Sequence, residues 1–447
     1  MTDKTYSIRT FGCQMNKLDS ELAAGQLEAA GFVPARDEES ACLVLLNTCS
    51  VRAKAQDKAT SVLSDYTQDE RARNGHRLVG VMGCVAQQMK ERLLTAPYHA
   101  DFVLGTGNIA QLREILERLL AGERGILAYE PECSGWDYDP STVRRKSLRS
   151  AFVAVSRGCS NLCSYCIVPY VRGTIRHREP KSIIEEVKLL TETGCIDVCL
   201  LGQNVNAYRY DGVEFVHLLE RLAHIDGMRR LRFITTHPKD LCLDTVKMMA
   251  HPPFAPYISM PLQSGSDRVL CLMNRGYTKE EYMEKVCWLR EHVEGCFISS
   301  DIMVGFPGET DADFEDTLQV VRLAQFDNVY SFIYSPRPFT KAAGFGNEVE
   351  REVVKARFER LLALQRENNT KRLRPFVRKT VEVLVDGMSR KDRSACCGRS
   401  PQNIIVNLPD DRCEIGELVL AEITKAGIHS LVGKVTKRLM PAPAPKP

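Results

Sequence analysis

Short apolar runs alternate with amphipathic stretches along residues 1–121. Strands are predicted at Tyr6–Phe11, Leu43–Asn47, Leu78–Met82 and Phe102–Leu104. Helices are predicted at Leu18–Ala30, Val51–Tyr66, Ala86–Leu94 and Ile109–Leu120. Strands that alternate with helices favour an open α/β domain, in which a parallel sheet is covered on both faces.

This alternation stops over residues 122–147. Gly and Pro residues are scattered there, and the segment ends near the basic run Arg144-Arg145-Lys146. Charge runs of this kind are usually solvated, so the pattern predicts a linker.

A second α/β series occupies residues 148–374. Its strand-like runs are Phe152–Ser156, Asp197–Leu201, Leu231–Thr235, Tyr257–Pro261, Phe297–Val304 and Val329–Tyr334. Helical stretches separate them; in KSIIEEVKLLTET, for example, Ile183, Val187 and Leu190 fall on one face. These βα units are fewer than the eight of a closed barrel, so we predict a partial (β/α)6 barrel.

Residues 375–440 contain strand-like runs without helical stretches between them. The runs are Thr380–Val385, Ile404–Leu408, Leu418–Ile423 and Leu431–Thr436. They predict a small antiparallel β-barrel. Residues 441–447 read PAPAPKP, a composition that predicts disorder.

Composition and charge indicate where the protein is located and which kinds of site it can contain. No run approaches the ~18 apolar residues of a membrane helix, and the N-terminus lacks the apolar core of a secretory signal, so we expect a cytoplasmic protein without membrane contact. The formal net charge of +3 is small, so any basic surface must be local. Seventeen cysteines in a reducing compartment do not indicate disulfides, and those in apolar runs, such as Cys42 and Cys199, fit a buried core.

Three cysteines, Cys159, Cys163 and Cys166, follow the first strand of the second series, in the type of loop that holds the active site of a β/α barrel. Zinc sites usually need four ligands, and the next histidine, His177, lies beyond a Pro-containing loop. A redox pair would not need Cys159. An iron–sulfur cube suits the C-x3-C-x2-C spacing, with three irons on thiolates and the fourth left for a non-protein ligand.

Three other cysteines, Cys13, Cys49 and Cys84, each lie within two or three residues of the end of a predicted strand in the first domain. The carboxyl ends of parallel strands form one edge of a sheet, so we expect these residues to converge in space. Unrelated core cysteines would lie inside apolar runs, as Cys42 does. The repeated position after a strand favours a second cluster with an open iron.

Together these motifs resemble a known family. The loop RGCSNLCSYC, with Tyr165 before its last cysteine, resembles the radical S-adenosylmethionine (SAM) superfamily. FGCQMN, NTCSVR, GQNVNAY and the β-rich C-terminal region, which resembles the RNA-associated TRAM barrel, extend the resemblance to the methylthiotransferases along nearly the whole chain. CQMN, NTCSVR and GQNVNAY are most similar to family members that act on N6-isopentenyladenosine at tRNA position 37.

The resemblance implies two [4Fe–4S] clusters and two uses of SAM. One molecule methylates a sulfur attached to the cluster on Cys13, Cys49 and Cys84; another is split at the other triad into a 5′-deoxyadenosyl radical. The radical attacks the adenine C2–H bond, where the methylthio group is delivered. This bond is neither acidic nor polarised, so general acid–base catalysis cannot activate it.

The resemblance also implies partners and cofactor contacts. The partners are the tRNA anticodon stem-loop, an electron donor of flavodoxin or ferredoxin type and a sulfide or sulfur donor, with the chain acting as a monomer. Candidate SAM contacts at the ends of barrel strands are Tyr165, Gly202, Gln203, Gln263, Ser264, Asp301, Gly305 and Phe306. For Gln203 the alternative is an amide that holds a strand-end turn, and for the Gly305 turn an ordinary tight turn. His237 is either catalytic or structural.

RNA contact requires a basic surface. Arg172, Arg176 and Arg178 follow the cysteine loop, and Lys371, Arg372, Arg374, Arg378 and Lys379 precede the small barrel. Each of these residues is a candidate phosphate contact, with a solvated surface charge as the alternative.

Three other functions remain open at this stage. Family members also methylthiolate threonylcarbamoyl-adenosine in tRNA or an aspartate of a ribosomal protein. A non-catalytic iron–sulfur sensor that binds RNA is the alternative outside enzymes, although it would not need two triads.

Overall fold

The computed structural model describes residues 4–50, 53–130, 138–389, 395–409 and 412–443. Among the described helices, none combines the length and the apolarity that crossing a membrane requires.

An open sheet of parallel strands forms the first domain, with the order β2-β1-β3-β4-β5-β6. Its strands are β1 Thr5–Thr10, β2 Val33–Pro34, β3 Leu43–Thr48, β4 Leu78–Gly83, β5 Phe102–Leu104 and β6 Ile126–Ala128. Its helices are α1 Gln14–Ala29, α2 Ala53–Gln68, α3 Glu70–Arg73, α4 Cys84–Met89 and α5 Leu112–Leu120. Leu43 and Leu45 belong to one hydrophobic cluster and Val44 and Leu46 to another, so both faces of the sheet are covered as predicted.

Helices α1 and α4 begin nearer to the cysteines than predicted. Helix α1 begins at Gln14 instead of Leu18, and α4 begins at Cys84 instead of Ala86. The reason is that the first turn of α1 is polar, with Asn16 buried, so the apolar periodicity becomes visible only at Leu18.

Strand β6 lies inside the segment predicted as a linker. It pairs in parallel with β5, so the sheet continues beyond residue 121. Three apolar residues between Gly125 and Tyr129 form too short a run to stand out in the sequence. Val143, near the end of the same segment, packs in the core of the first domain, while residues 131–137 lie outside the described residues.

The second domain is a partial barrel of six principal parallel strands, as predicted. They form two three-stranded sheets, β13-β10-β7 and β14-β15-β16, joined by a parallel bridge between Leu231 and Phe254. The strands are β7 Ser150–Ala154, β8 Ser156–Arg157, β9 Arg176–His177, β10 Asp197–Leu201, β11 Arg209–Tyr210, β12 Val213–Glu214, β13 Arg230–Phe233, β14 Tyr257–Ser259, β15 Phe297–Val304 and β16 Asn328–Ile333. The helices are α6 Val168–Arg172, α7 Pro180–Glu192, α8 Phe215–Ala223, α9 Leu243–Met248, α10 Asp267–Leu272, α11 Lys279–His292, α12 Asp311–Ala324 and α13 Arg351–Leu373.

The C-terminal domain is a closed five-stranded barrel with the order β17-β18-β19-β21-β20. Its strands are β17 Thr380–Met388, β18 Cys396–Arg399, β19 Ile405–Leu408, β20 Leu418–Ala426 and β21 Ser430–Met440. The predicted small antiparallel barrel is confirmed, with one exception among the described strands: β19 and β21 pair in parallel. Strand β18 was not predicted, since its sequence CCGR lacks an apolar alternation.

The predicted disordered tail falls partly on residues 444–447, which lie outside the described residues. Residues 441–443 have no regular structure, and the carbonyl of Pro441 accepts a hydrogen bond of 2.9 Å from Arg149 Nη2.

The barrel strands contact the other two domains through the face opposite their own helices. Val198 and Leu200 of β10 pack toward the barrel helices, whereas Cys199 and Leu201 join the core of the first domain. The first domain therefore packs against the barrel strands, and its sheet edge can lie next to the cysteine loop.

Candidate functional site

Cys13, Cys49 and Cys84 lie at the carboxyl edge of the first sheet, where strand order predicts them. Strand β3 pairs with β1 on one side and β4 on the other. Cys49 directly follows β3, Cys84 directly follows β4, and Cys13 lies three residues beyond β1. Cys13 and Cys84 are close enough for their charges to interact, and a Cβ atom added to Gly12 would lie 2.6 Å from Cys49 Cβ. The three residues form one group, which we call the sheet-edge triad.

Two buried asparagines hold this edge together. Asn16 Nδ2 donates to Asn47 Oδ1 at 2.8 Å, and Asn47 Nδ2 donates to the carbonyl of Asn16 at 2.7 Å. Cys13 Sγ donates to Asn16 Oδ1 at 3.3 Å. The motifs CQMN and NTC therefore contain both the thiols and the amides that fix their spacing.

The thiol of Cys13 is the exposed member of the sheet-edge triad. Its side chain keeps accessible surface, yet the surrounding protein removes water from the thiolate, and this desolvation raises the pKa of Cys13. The nearby guanidinium of Arg172 opposes the increase in pKa.

Cys159, Cys163 and Cys166 lie in the loop between β8 and α6, and we call them the loop triad. Burial raises the pKa of Cys159, and it raises the pKa of Cys166 to about 12. The charge of Cys163 acts on both other thiols, which places the three together. The backbone of Gly158 has a φ of +79°, and a Cβ atom there would lie 2.2 Å from the carbonyl oxygen of Thr174, so only glycine fits before Cys159.

Arg275 organises the inner side of the loop triad. Its Nη1 lies 3.5 Å from Cys163 Sγ and 3.4 Å from the hydroxyl of Tyr165. Its Nε donates to the hydroxyl of Tyr277 at 3.0 Å, and Nη2 donates to the carbonyl of Pro261 at 2.9 Å. Arg275 therefore holds a buried positive charge against a thiol of the triad.

The two triads lie next to each other across the domain junction. Cys84 packs with Ile167, which directly follows Cys166, and with Val171 of α6. Arg172, the last residue of α6, forms an ion pair of 2.7 Å with Asp19 of α1. Burial lowers the pKa of Arg172, but the charges of Asp19, Cys84 and Cys13 outweigh burial and raise it.

Both triads fit iron–sulfur clusters. Each consists of three thiols, the donors that such clusters use, and a cube places each thiolate on a separate iron. No three His, Cys, Asp or Glu side chains in the described part of the chain are arranged around a single metal ion. Arg172 Nη1 is buried beside Cys13 and Cys84 without a hydrogen-bond partner among the described residues, so a positive donor remains available to a negatively charged group.

Several predicted SAM contacts come together around the loop triad. Tyr165 packs in the same cluster as Phe306. Gln203 accepts a hydrogen bond from the amide N–H of Gly158, the residue before the triad, which supports the turn-holding role considered for this amide. Gly202 directly follows β10, and a Cβ atom there would lie 2.5 Å from Ser156 Oγ.

The remaining predicted contacts lie along β15 and the loops next to it. Gln263 has a φ of +73°, and its amide N–H donates to the carbonyl of Asp301 at 2.8 Å. The amide N–H of Gly305 donates to Glu309 Oε2 at 2.9 Å, so this turn is held by a side chain that the sequence did not single out.

Two predicted cofactor contacts need correction. Ser264 is fully buried, and its hydroxyl bonds Thr317 at 3.3 Å and accepts from the amide N–H of Ser266. Phe306 is also fully buried, against Tyr334, with ring centroids 5.4 Å apart. Neither side chain lines open space, so both support the loops around the site.

The basic candidates separate into buried and exposed groups. Arg172 and Arg178 were predicted to contact RNA, but both are buried; Arg178 forms an ion pair of 2.6 Å with Glu186. Burial and pairing make them internal residues, which corrects the prediction. Arg176 is half-buried in the short strand β9.

The second basic group, before the small barrel, is mostly exposed. Lys371 pairs with Glu367 at 2.7 Å, and Arg372 pairs with Asp327. The others, Arg374, Arg378 and Lys379, are exposed and have no ion-pair partner among the described residues.

His237 is buried and neutral. Its Nδ1 accepts a hydrogen bond of 3.4 Å from the amide N–H of Lys239, and its Nε2 has no partner among the described residues. Burial, with Arg275 and Lys239 nearby, lowers the pKa of His237 to about 2. The geometry supports the structural alternative, a histidine that caps a turn.

Three family models match consecutive parts of the chain. An uncharacterized protein family, UPF0004, matches residues 5–105, the radical SAM superfamily matches residues 153–321, and the TRAM domain matches residues 374–436. Each match falls on one of the three structural domains.

Curated relatives match almost the full length. The chain is 41% identical to a tRNA-2-methylthio-N(6)-dimethylallyladenosine synthase of Moorella thermoacetica, over 97% of this chain and 98% of the relative. It is 42% identical to the synthase of the same name from Geotalea uraniireducens, over 97% and 99%. The chain belongs to this family of radical SAM methylthiotransferases. This confirms the resemblance, and with it an enzyme that uses SAM and iron–sulfur clusters.

A solved structure supports the fold of the methylthiotransferase. The radical SAM methyltransferase TsrM from Kitasatospora setae, solved with tryptophan and a SAM analogue, has a TM-score of 0.55 and 17% identity. The similarity covers 76% of this chain and 75% of that one. At this identity the likeness shows a shared fold only.

Sequence reasoning missed the groups that surround the thiols. They are Asn16, Asp19, Asn47, Arg275 and Arg337. Asn16 and Asn47 stood inside the quoted motifs CQMN and NTCSVR, and Arg275 and Arg337 inside MNRGYT and YSPRP. For Asn16 and Asn47, the available signal was a polar residue inside a motif that also carries a cysteine.

Proposed function

We propose that this methylthiotransferase adds a methylthio group to C2 of N6-isopentenyladenosine at position 37 of tRNA. The observation that carries the proposal is the adjacency of two three-cysteine groups across the domain junction, joined by Cys84 with Val171 and by Arg172 with Asp19. The relatives' printed name gives the same product, a 2-methylthio-N6-dimethylallyladenosine.

The sheet-edge triad holds one [4Fe–4S] cluster and the loop triad holds another. With SAM bound, these groups supply the sulfur, the methyl group and the carbon-centred radical that an unactivated C–H bond requires. Each triad would supply three thiolates to its cluster, and a fourth ligand would have to come from another molecule.

The chain positions these groups and shields them. Asn16 and Asn47 fix the strand ends that carry Cys13 and Cys49. Arg172 and Arg275 place buried positive charges next to the two thiol groups, where they offset the negative charge of bound clusters. Because Cys49, Cys84 and Cys159 are buried and Cys163 and Cys166 are half-buried, the protein limits the access of water to both groups.

The tRNA partner is supported by the relatives' name and by the match to the TRAM domain. Arg374, Arg378 and Lys379, exposed beside that barrel, are proposed phosphate contacts. An electron donor of flavodoxin or ferredoxin type, a sulfide or sulfur donor, a monomeric state and a cytoplasmic location remain part of the proposal.

The proposal is tested with anaerobically reconstituted protein, reductant and SAM. We expect 5′-deoxyadenosine, and mass spectrometry of tRNA nucleosides should show a 2-methylthio group on isopentenyladenosine. Transcripts with threonylcarbamoyladenosine or unmodified adenosine serve as competing substrates. Binding of tRNA without any cleavage of SAM would instead support the sensor, and modification of threonylcarbamoyladenosine alone would support the other tRNA substrate.

A further inference from the structure

One surface segment, residues 335–342, spans the distance between the two triads. Near its start, the guanidinium of Arg337 lies close enough to Cys49 for their charges to interact. At its end, the amide N–H of Ala342 donates at 2.8 Å to the carbonyl of Ser164, which lies inside the loop triad. The middle of the segment therefore lies beside the junction of the two triads, which we call the rim.

Phe339, in the middle of this segment, is presented to solvent. Its side chain is 64% exposed, and its backbone has a φ of +70°. A bulky residue rarely adopts this left-handed conformation, because its Cβ crowds the backbone. Thr340 holds the turn, since its Oγ1 donates to the carbonyl of Arg337 at 2.7 Å. The strained backbone of Phe339 exposes its aromatic ring instead of burying it. Such strain is typical of functional sites.

Tyr170 supplies a second ring at the same rim. It is 47% exposed, and its ring centroid lies 6.0 Å from that of Phe339 at an interplanar angle of 36°. Tyr170 belongs to α6, the helix that follows the loop triad, while Val171 beside it contacts Cys84. The two rings thus connect the segment 335–342 to the helix between the triads.

We propose that Tyr170 and Phe339 form a stacking platform for an unstacked base of the tRNA loop, namely a nucleotide next to the target adenosine. The inference rests on the proposed function and names a contact that selects the substrate's loop. When a target base leaves its stack to enter an enzyme, its neighbours lose a stacking partner. Exposed aromatic rings replace that partner in many single-stranded RNA sites.

Charge near the platform suits RNA. Lys341, two residues after Phe339, is exposed, so a phosphate beside a stacked base would meet a positive group. A five-carbon isopentenyl chain would gain most from an enclosed apolar pocket, whereas these rings lie open at the rim. The observations therefore favour a base, and not the isopentenyl chain, as the group that contacts the two rings.

The test uses full-length protein and an anticodon stem-loop RNA that carries isopentenyladenosine. 2-Aminopurine, a base whose fluorescence is quenched by stacking, replaces each neighbour of the target in turn. We expect quenching at one neighbour with the unmodified protein, loss of quenching in Phe339→Ala and Tyr170→Ala, and about 5- to 100-fold weaker binding. Phe339→Trp should retain both signals, because indole also stacks.

The matched control is Leu323→Ala. Leu323 is exposed to the same fraction, 64%, but lies on α12, and its removal should change neither signal. Unchanged affinity and fluorescence in both platform variants would overturn the proposal. So would an affinity loss confined to RNA with isopentenyladenosine and absent for unmodified adenosine, because the rings would then contact the alkyl group.

The test of the stacking platform can fail or succeed independently of the proposed function. Formation of 5′-deoxyadenosine without RNA should persist in both platform variants, since neither residue belongs to a triad. If the unmodified protein binds the RNA and quenches the probe but never methylthiolates it, the proposed function fails while the platform stands.

Discussion

Arg172 and Asp19 form an ion pair of 2.7 Å in which both side chains are 2% exposed. The pair joins the helix that follows the loop triad to the helix that follows Cys13. It thereby fixes the position of one three-cysteine group relative to the other.

Removing one member of this pair should destabilise the protein and loosen the junction. Among the described residues, Arg172→Gln leaves the buried Asp19 carboxylate with the more distant Arg157 at 3.6 Å, and we expect the free energy of unfolding to fall by about 3–5 kcal/mol. Chemical denaturation of the variant measures this loss. The double variant Arg172→Gln with Asp19→Asn removes the unpaired charge and should recover part of the stability. Equal stability of the single variant and the unmodified protein would show that the pair does not hold the domains.

Replacing Arg275 should make the cluster on the loop triad harder to reduce. Arg275→Gln removes a positive donor 3.5 Å from Cys163 Sγ, and hydrogen bonds to cluster sulfurs raise the reduction potential. Loss of a hydrogen bond worth about 1 kcal/mol corresponds to a shift of the reduction potential by about 40 mV to more negative values. Potentiometric titration followed by electron paramagnetic resonance measures it. Arg357→Gln is the control, a buried arginine paired with Glu309 instead of a cysteine, and should leave the potential unchanged.

His237 should make stability fall in mild acid. Its pKa is about 2 in the folded protein because the imidazole is buried, whereas an unfolded histidine has a pKa of about 6.5. Below pH 6.5 the unfolded chain binds a proton that the folded chain does not, so stability decreases as pH falls. The His237→Asn variant, which keeps a capping acceptor, should lose about 1.4 kcal/mol less between pH 7.5 and pH 5.5. Parallel pH profiles for the two proteins would mean that His237 is not buried in its neutral form.

The exposed basic residues beside the small barrel should contribute more to RNA binding than their ion-paired neighbours do. Arg374→Ala and Lys379→Ala should each weaken RNA binding and reduce the slope of log affinity against log salt by about 0.7–0.9 per phosphate contact. Arg372 is held by Asp327, so Arg372→Ala should reduce stability more than it changes the salt slope. Binding isotherms at several salt concentrations distinguish the two classes. An unchanged slope in both exposed variants would remove them from the RNA surface.

The sequence predicted the backbone architecture better than the roles of individual side chains. Strands β3 and β4 are mostly apolar runs and β1 is a short β-type run, so these strands and the position of a cysteine after each could be inferred from the sequence pattern. Strand β18 and the first turn of α1 lack apolar periodicity and were missed.

Side-chain roles depend on contacts between distant parts of the chain. Arg172 and Arg178 looked like surface charges because their partners, Asp19 and Glu186, are identified only by the fold. Phe339 gave no sequence signal, because neither its left-handed backbone nor its exposure can be seen in the residues around it.

Iron analysis of triad variants tests the central claim most directly. Anaerobically reconstituted protein should hold about eight irons per chain as two cubes, while Cys84→Ala and Cys163→Ala should each hold about four, with Mössbauer spectra of a single cube. Of the two variants, Cys84→Ala should still convert SAM to 5′-deoxyadenosine, as the unmodified protein does, and Cys163→Ala should not. A single cube in the unmodified protein, or zinc bound at Cys13, Cys49 and Cys84, would contradict the account.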